Sequence, residues 1–369
     1  MKELIICIAL FVLFVPLNKR GMAERDCPEE ASYYNGKCYK TYTCKIHPKL
    51  ETYKFRGQWR SDIYYELERI TVLQSDKVVQ HLKCNDCMSY GLMLEFKDMN
   101  FDGYDDVITI ANAGASNTFY MVWVFDKKSK KFVPKEKFRE LCGPEPNPDT
   151  KTIHTHMTGG MAGLLYTDKI YQYKNENLVL KKQIDQEEII SDYFFRETNH
   201  FENGRSVKVE TEIYNYEFTS NNAQLVCGPY SKPLSCWPAA KVINFTGYEE
   251  MGKPDMMVEH YAKKVIWNNK EKTRDELLKM HSDYLASIRE YNIEIEDISV
   301  SMNPDSTKAI VECDIEGNYK DSVGANKHFK LRKRFRLVKK QENWKIECEE
   351  VSKYLDGTKG RIYNRCSLK

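Results

Sequence analysis

The segment between residues 51 and 240 limits the fold most strongly, because aromatic and β-branched runs alternate there with turn residues. The predicted strands are 63–73, 77–82, 91–96, 106–110, 119–125 and 178–184. The run FYMVWVF at 119–125 is apolar at every position, so we expect both faces of that strand to be covered. Asn203 and Gly204 suit the two positive φ values of a tight hairpin turn. The segment therefore predicts a mostly β domain.

The pattern changes after Trp237-Pro238. A helix is predicted from Pro254 to Trp267, and the capping box that begins at Thr273 predicts a second helix. Alternating strands follow at 308–315 and 329–337, and NWKIECEEV adds a third. Helices followed by an antiparallel meander predict an α+β domain with one sheet face packed on the helices.

Two cysteines test this meander. Cys313 and Cys348 both point inward, but they lie on its first and third strands. Two strand spacings are about 9.6 Å, which exceeds the limit of about 7 Å between the Cα atoms of a disulfide. We therefore predict that these two cysteines are not bonded to each other.

The first residues predict export. Lys2 precedes an apolar run at 4–17, and the small residues Gly21 and Ala23 fit a signal-peptidase site, which gives a signal peptide at 1–23. The run is short for a membrane span. The positive charge at Lys19 and Arg20 leaves a retained N-terminal anchor open. A cleaved signal predicts a secreted or periplasmic protein without stable membrane insertion.

The 12 cysteines agree with export, since all except Cys7 follow the predicted cleavage site and disulfides persist in oxidising compartments. A Cys-rich N-terminal segment at 24–50 predicts a disulfide-stapled loop that contains Cys27, Cys38 and Cys44. Cys84 and Cys87 have the spacing of a redox pair. Their flanks resemble strands and not a helix N-terminus, so we expect a structural role for this pair.

The sequence DMNFDGYDD has oxygen-bearing residues at the offsets of a calcium loop around Gly103. The predicted ligands are Asp98, Asn100, Asp102, Tyr104 through its carbonyl, and Asp106. Thr109 stands where an EF-hand has glutamate, so only the short β-hairpin type of loop remains. The alternative is a turn that binds nothing, because Asp and Asn also favour turns. A bound calcium ion would be structural, since no nucleophile lies nearby in the sequence.

Sequence positions that could support catalysis are few. His154 and His156 would share one face of a strand, and the MTGGMAG loop with Gly159 and Gly160 follows them. A two-histidine metal site lacks further ligands here, so these residues predict an exposed polar strand end. Tyr261 and Asp283 are candidates for acid–base work, although they are explained more simply as helix-face and surface residues. We predict no catalytic residues.

The strand HFKLRKRFRLVKK carries a basic stripe on one face. The stripe consists of Lys330, Arg332, Arg334 and Arg336. It could meet an acidic partner or a membrane surface. The interpretation we prefer is a solvated sheet face paired with Glu312, Glu347 and Glu349 of the neighbouring strands. Lys plus Arg (56) nearly balance Asp plus Glu (54), so overall charge gives no reason to expect a nucleic-acid partner.

Two resemblances add to these patterns. DMNFDGYDD, NTFYMVWVFDKKSKKFV and KTIHTHMTGGMAGLLYTDKIYQYKNENLVL resemble, over about residues 60–185, a bacterial periplasmic family similar to immunity proteins against peptidoglycan-cleaving effectors and to lysozyme inhibitors. Residues 250–352 resemble the nuclear-transport-factor-like (cystatin-like) α+β cone, through the two predicted helices, YNIEIEDISVSM, TKAIVECDIEGNY, HFKLRKRFRLVKK and NWKIECEEV.

Together these features predict an α+β protein. A mostly β, inhibitor-like domain at 51–240 precedes a C-terminal α+β cone with an antiparallel meander at 250–352, and a tail follows at 353–369. The resemblances imply an exported envelope protein that binds a secreted hydrolase or toxin and occludes it, with 154–160 as the partner-binding region. The alternatives are an enzyme or small-ligand binder with a pocket in the cone, and a calcium-stabilised surface-binding module.

Overall fold

The computed structural model describes residues 31–61, 65–85, 87–89, 91–190, 192–217, 222–231, 235–341 and 343–353. In these residues the protein is mainly β. The chain divides into two compact units, Met1–Leu141 and Cys142–Lys369. The predicted signal peptide, Cys27 and residues 354–369 of the predicted tail lie outside the described residues. None of the described helices combines the length and the apolar character that a bilayer span requires.

The first unit begins with an antiparallel sheet. Its strands are β1 (Ser32–Tyr34), β2 (Lys37–Cys44), β3 (Tyr53–Ser61), β4 (Tyr65–Gln74), β5 (Lys77–Leu82) and β6 (Met88–Ser89). They are ordered β1-β2-β3-β4-β5, and β6 pairs with β4. The predicted Cys-rich loop at 24–50 is therefore partly strand, because β2 pairs along its whole length with β3.

A second sheet completes the first unit. It has the order β10-β9-β8-β7, with β7 (Glu95–Lys97), β8 (Asp106–Ala113), β9 (Thr118–Asp126) and β10 (Lys131–Pro134). Phe55 and Trp59 of the first sheet share a core with Trp123 and Phe125 of the second. Residues 121–125 of β9 are all buried, which confirms the prediction from the apolar run for this part of the strand.

The second unit begins with an antiparallel meander. Its strands follow the chain order as β11 (Glu145–Asn147), β12 (Thr152–Gly160), β13 (Leu165–Lys174), β14 (Asn177–Ile190), β15 (Tyr193–Glu202), β16 (Arg205–Glu217) and β17 (Asn222–Ser231). The predicted Asn203-Gly204 turn joins β15 to β16, and both residues have positive φ.

Helices and a last sheet complete the second unit. The elements are α1 (Trp237–Glu250), α2 (Pro254–Val258), β18 (Tyr261–Trp267), β19 (Lys270–Thr273), α3 (Arg274–Ala286), β20 (Arg289–Met302), β21 (Lys308–Lys320), β22 (Asn326–Lys340) and β23 (Asn343–Lys353). The sheet order is β19-β18-β23-β22-β21-β20. The predicted capping box is present, because Thr273 and Glu276 bond reciprocally at the start of α3.

One predicted helix is wrong. The segment predicted as a helix to Trp267 contains α2, which ends at Val258, and then the strand β18. β18 pairs in parallel with β23 and buries Tyr261 and Val265. Pairing with a strand more than 80 residues later therefore overrides the local helical pattern.

The boundary between the two units also differs from the prediction, because it lies after Leu141 and not between residues 240 and 250. Ile190, Phe195 and Ile213 of the meander share one hydrophobic core with Phe245 of α1 and Phe335 of the last sheet. This common core places the meander with the α+β elements and not with the strands of the first unit.

The disulfide prediction for the last sheet is confirmed. β22 lies between β21 and β23, Cys313 is a free thiol, and Cys348 belongs to a disulfide. In the first unit Cys84 and Cys87 are bonded to each other, in keeping with a structural role. Cys38 is also disulfide-bonded, whereas Cys44 is free.

Candidate functional site

The Asp/Asn loop folds around hydrogen bonds from its own backbone. The carboxylate of Asp98 accepts the N–H groups of Asp102 at 3.1 Å and Gly103 at 2.7 Å. Asn100 Oδ1 accepts from Asp102 N at 3.2 Å, and Asp102 Oδ1 accepts from Tyr104 N at 3.0 Å. Gly103 has a φ of 88°, which favours glycine. These local bonds are those of an Asx-rich turn.

Asp106 differs from the rest of the loop because it is fully buried. Its Oδ2 accepts from Met99 N at 2.9 Å and its Oδ1 accepts from Phe125 N at 2.8 Å. Burial raises the pKa of Asp106 to about 8, although these two N–H donors favour the charged form. Asp106 therefore joins the loop to β9.

This geometry leaves fewer of the predicted calcium ligands available. Among the described residues no three His, Cys, Asp or Glu side chains converge as a metal site requires. Both oxygens of Asp106 are already occupied by backbone N–H groups, and Lys127 Nζ lies 3.5 Å from Asp102 Oδ2. The remaining predicted ligands are Asp98, Asn100, Asp102 and the carbonyl of Tyr104. Calcium binding stays a prediction for this smaller set.

The histidine pair lies where the sequence predicts, on one exposed face of β12. His156 Nδ1 is 2.6 Å from Asp168 Oδ1 on β13, and His154 Nε2 is 3.0 Å from Thr152 Oγ1. Within the described part of the chain, the two histidines and Asp168 do not converge as three ligands of one metal ion. The pair therefore forms part of a polar surface.

The end of β12 also exposes apolar side chains. Met157 is 43% exposed and Met161 is 38% exposed. Gly159 and Gly160 lead into a short 3₁₀ turn at Met161–Gly163, and a Cβ on Gly159 would lie only 3.3 Å from Leu165. β11 pairs only with the start of β12, at 152–154. We call residues 154–163 the β12 tip.

A cluster of buried polar side chains lies inside the second unit. Lys333 Nζ of β22 is 2.9 Å from a carboxylate oxygen of Glu249 on α1 and 3.7 Å from one of Glu349 on β23. Tyr261 donates to Glu349, and Tyr291 donates to Glu249 at 3.2 Å. We call these five residues the lysine cluster. Its charged groups are paired inside the protein.

The electrostatics of the lysine cluster favour the ion pairs. Although burial opposes the charge of Lys333, Glu249 and Glu349 raise its pKa. Burial and then Glu349 raise the pKa of Tyr261, which keeps that hydroxyl protonated. His281 Nε2 lies 3.2 Å from the Tyr261 oxygen, and burial lowers the pKa of His281. The imidazole is therefore neutral near pH 7.

The acid–base pair suggested by the sequence does not form. Tyr261 is completely buried on β18, whereas Asp283 is exposed on α3. The sequence analysis missed Lys333, although a signal was present. In β22 the positions that alternate with the basic stripe are apolar, except that Lys333 stands among them. A lysine at an inward-facing strand position indicates a buried acidic partner.

The basic stripe itself is an ion-paired sheet face, as predicted, but it is less solvated than expected, because the side chains of Arg332 and Arg336 are only 15% exposed. Arg332 bonds Asp314 at 2.9 Å and Glu312 at 3.2 Å. Arg336 bonds Glu347 at 3.1 Å. Glu349, expected on the same face, instead belongs to the buried lysine cluster.

A cavity of about 410 Å³ lies outside that cluster but within the second unit. Trp237, Trp344 and Phe195 line it together with polar groups that include Lys241 and Asn244. Trp237 is 46% exposed and stacks on Phe195 with ring centroids 4.2 Å apart. Asn244 Oδ1 is buried without a hydrogen-bond partner in the described residues. These features form an aromatic cleft with an unused acceptor.

Comparison with known proteins gives a fold likeness for part of the chain. No family model and no curated protein matches it. The similar solved structures have nuclear-transport-factor-like or cystatin-like folds. One is a protein from Streptomyces avermitilis described as a dehydratase of the NTF2-like family, at 15% identity and TM-score 0.29, covering 32% of this chain and 95% of that one.

Two further structures show the same range of similarity. A cystatin-like protein from Caulobacter vibrioides has 14% identity and TM-score 0.30, covering 32% of this chain and 89% of its own. A protein described as a scytalone dehydratase from Novosphingobium aromaticivorans has 14% identity and TM-score 0.30, covering 35% and 89%. TM-scores of this size carry no inference about activity, and the expected absence of catalysis gains no support from them.

Proposed function

We propose that the protein is an exported binding protein of a bacterial envelope that occludes a secreted peptidoglycan hydrolase or toxin. The observation that carries this proposal is the exposed β12 tip, where Met157 lies on a strand of the long meander and Met161 lies in the turn that follows it. Methionine side chains adapt to a partner surface. A rigid sheet that presents an exposed end suits occlusion, which needs no catalytic residue in the inhibitor.

The open edge of β12 supports the same surface. β11 stops at the partner of His154 and the Cys142 carbonyl accepts the N–H of His156, so β12 beyond His156 pairs only with β13 among the described strands. An open edge can accept a strand of a partner through backbone hydrogen bonds. His154 and His156 add exposed polar groups on the other face of β12 from Met157.

The test combines binding with inhibition. The full chain is used to capture hydrolases from envelope extract, and each captured enzyme is then assayed for lysis of cell walls. We expect the wild type to inhibit lysis and Met157→Asp/Met161→Asp to weaken inhibition at least about tenfold, since two charges would be placed in the contact. Val207→Asp on β16 is the control, because Val207 is 55% exposed in the same meander.

Absence of any inhibited hydrolase would overturn the proposal. Equal inhibition by the double variant and the wild type would remove the β12 tip from it. Circular dichroism of each variant establishes that the meander is intact before inhibition is compared.

The aromatic cleft favours a second candidate function, the binding of a small ligand. An exposed indole beside Asn244 and Lys241 suits a sugar ring, which offers C–H groups to stack and hydroxyls to bond. The charge of Lys241 is only partly solvated, so burial, together with the nearby Lys345, lowers the pKa of Lys241. This cleft is bordered by β14, β15, α1 and the β22–β23 turn, and not by the cone interior that the sequence suggested.

A soluble peptidoglycan disaccharide is the probe for this second candidate. Titration calorimetry should show binding to the wild type and loss of binding in Trp237→Ala. Met256→Ala is the control, because Met256 is also a large exposed side chain of the second unit. No heat change with the wild type would exclude this ligand class for the cleft.

A further inference from the structure

Two buried cysteine sulfurs in the second unit lie in contact. Cys227 of β17 and Cys236, which directly precedes α1, have their Sγ atoms 2.8 Å apart. Cys227 is 3% exposed and Cys236 is completely buried. Both are free thiols in the structure. The residues are nine apart in sequence, so they join neighbouring elements across a short connection.

The surroundings hold Cys236 in this position. Its backbone N–H donates to Thr211 Oγ1 at 2.8 Å, and its thiol donates to the Thr211 carbonyl at 3.3 Å. Thr211 lies on β16, which pairs with β17 in the meander. Neither sulfur needs to travel far to react, because a disulfide bond is about 2.05 Å long.

We propose that Cys227 and Cys236 form a disulfide in the mature protein, which fastens the start of α1 to the meander. The proposal depends on the exported location included in the proposed function, because disulfides persist in an oxidising compartment. It does not depend on any partner. Cys84–Cys87, Cys38 and Cys348 are already bonded in the same chain.

The chemistry is thiol–disulfide exchange with a disulfide oxidant, either oxidised glutathione or a protein oxidase of the same class. One protein thiolate attacks the oxidant, forms a mixed disulfide and releases one thiol. The second protein thiolate then attacks the protein sulfur of that mixed disulfide and releases the second thiol. Two electrons pass to the oxidant, and the two protons end on the released thiols.

The timing of this exchange follows from the surroundings. The hydrogen bond with Cys236 and burial raise the pKa of Cys227 well above its usual range. The reactive thiolate is therefore scarce in the folded protein. We expect the bond to form while the chain folds, and then to resist reduction until the second unit opens.

Refolding tests the bond without reference to location or partner. The reduced, denatured full chain is refolded in a buffer of reduced and oxidised glutathione, and free thiols are then alkylated in denaturant. Peptide mass analysis should find Cys227 and Cys236 linked to each other, while Cys313 is alkylated as the internal control. Bonded Cys84–Cys87 shows that the buffer oxidised the sample.

Alkylation of both Cys227 and Cys236 in a sample with bonded Cys84–Cys87 would overturn the proposal. A link from either residue to another cysteine would overturn it as well. A reductant also opens the other disulfides of the chain, so the Cys227–Cys236 bond should account for about 5–10 °C of the melting difference between the oxidised and the reduced protein. In Cys227→Ser/Cys236→Ser the difference should shrink by that amount, whereas in Cys142→Ser, which replaces another buried cysteine, it should stay as in the wild type.

Discussion

The two units bury charged groups in opposite ways. In the first unit the buried carboxylate of Asp106 accepts backbone N–H groups of Met99 and Phe125, and burial raises its pKa to about 8. In the second unit Lys333 is equally buried but contacts Glu249 and Glu349. One unit favours a neutral acid, and the other keeps its charges and pairs them.

The difference matters because burial penalises an isolated charge heavily and a paired charge much less. A carboxyl group can avoid the penalty by taking a proton, which makes the stability of its unit depend on pH. A paired lysine retains its charge over the ordinary pH range, so the stability of its unit depends on the acidic residues that pair with it. The two sites should therefore respond to different changes.

The largest effect is expected for Lys333→Met. This substitution leaves Glu249 and Glu349 close together in the core without their cation, and breaking such a buried pair costs about 3–5 kcal/mol. Amide hydrogen exchange of the second unit, measured as a function of urea concentration, gives the loss in the free energy of unfolding.

Lys330→Met is the matched control on the same strand. Lys330 pairs with Glu296 and Glu316 on the exposed face, where solvent screens the charges, so the substitution should cost a small fraction of the loss at Lys333. Similar losses in the two variants would show that the lysine cluster does not hold the core together.

The second effect is the pH dependence of the first unit. The pKa of Asp106 is raised in the folded state, so its stabilising contribution is complete below about pH 4 and is lost as the pH rises toward 8. Between pH 5 and pH 7 the free energy of unfolding should fall by about 2–3 kcal/mol. Hydrogen exchange resolved by unit, and corrected for intrinsic rates, measures this change.

Asp106→Asn is neutral at both pH values and should abolish that slope. The amide can accept only one of the two N–H bonds from Met99 and Phe125, so the variant should also be less stable by about 1–3 kcal/mol at low pH. Glu136→Gln, which replaces an exposed carboxylate of the first unit, keeps Asp106 and should retain the slope. An unchanged slope in Asp106→Asn would assign the pH dependence to other groups.

The sequence predicts the local elements of this fold well. β5 has the predicted bounds, Asn203-Gly204 makes the predicted turn, and the strands around Cys313 and Cys348 have the predicted order. These features depend on alternation and turn chemistry over a few residues. β18 and the division between the units depend on contacts between distant segments, which one sequence does not specify.

The residues of the candidate sites also fall into those that local patterns predict and those that contacts between distant segments place. His154 and His156 share a face because strand geometry alone requires it. Lys333 is visible in the sequence as a cation on an inward-facing row, but its partner Glu249 lies 84 residues away on a helix. The direction of Asp106 is likewise unpredictable from spacing, because Phe125 of β9 determines it.

The third effect is the pH dependence of the second unit, which should have the opposite sign to that of the first unit. Burial, with help from Lys241 and Lys345, lowers the pKa of His260 to about 3, although the backbone of Met256 favours the charged form. Its contribution is complete above about pH 6.5 and is lost as the pH falls. From pH 7 to pH 5 the second unit should lose about 2 kcal/mol.

His260→Phe tests this assignment, because Phe cannot be protonated and can pack on Phe245 and Tyr248 as His260 does. The variant should flatten the pH dependence between pH 5 and pH 7 in the same exchange experiment. His47→Phe, in the first unit, is the control and should leave the second unit unchanged. A slope that persists in His260→Phe would contradict the assignment.

The smallest effect concerns calcium at the Asp/Asn loop. Free Ca²⁺ at ten times its dissociation constant should stabilise the first unit by about 1.4 kcal/mol. Asp102→Ala should remove this gain, because Asp102 is a predicted ligand that solvent can reach, whereas Asp105→Ala should keep it. Lys127→Met should enhance it, because the ammonium now beside Asp102 competes with a cation. Equal melting in calcium and in chelator, for the wild type and all three variants, would mean that backbone N–H groups alone satisfy the loop. The carboxylates of the loop would then be held by backbone N–H groups, whereas Glu249 and Glu349 of the lysine cluster are held by Lys333.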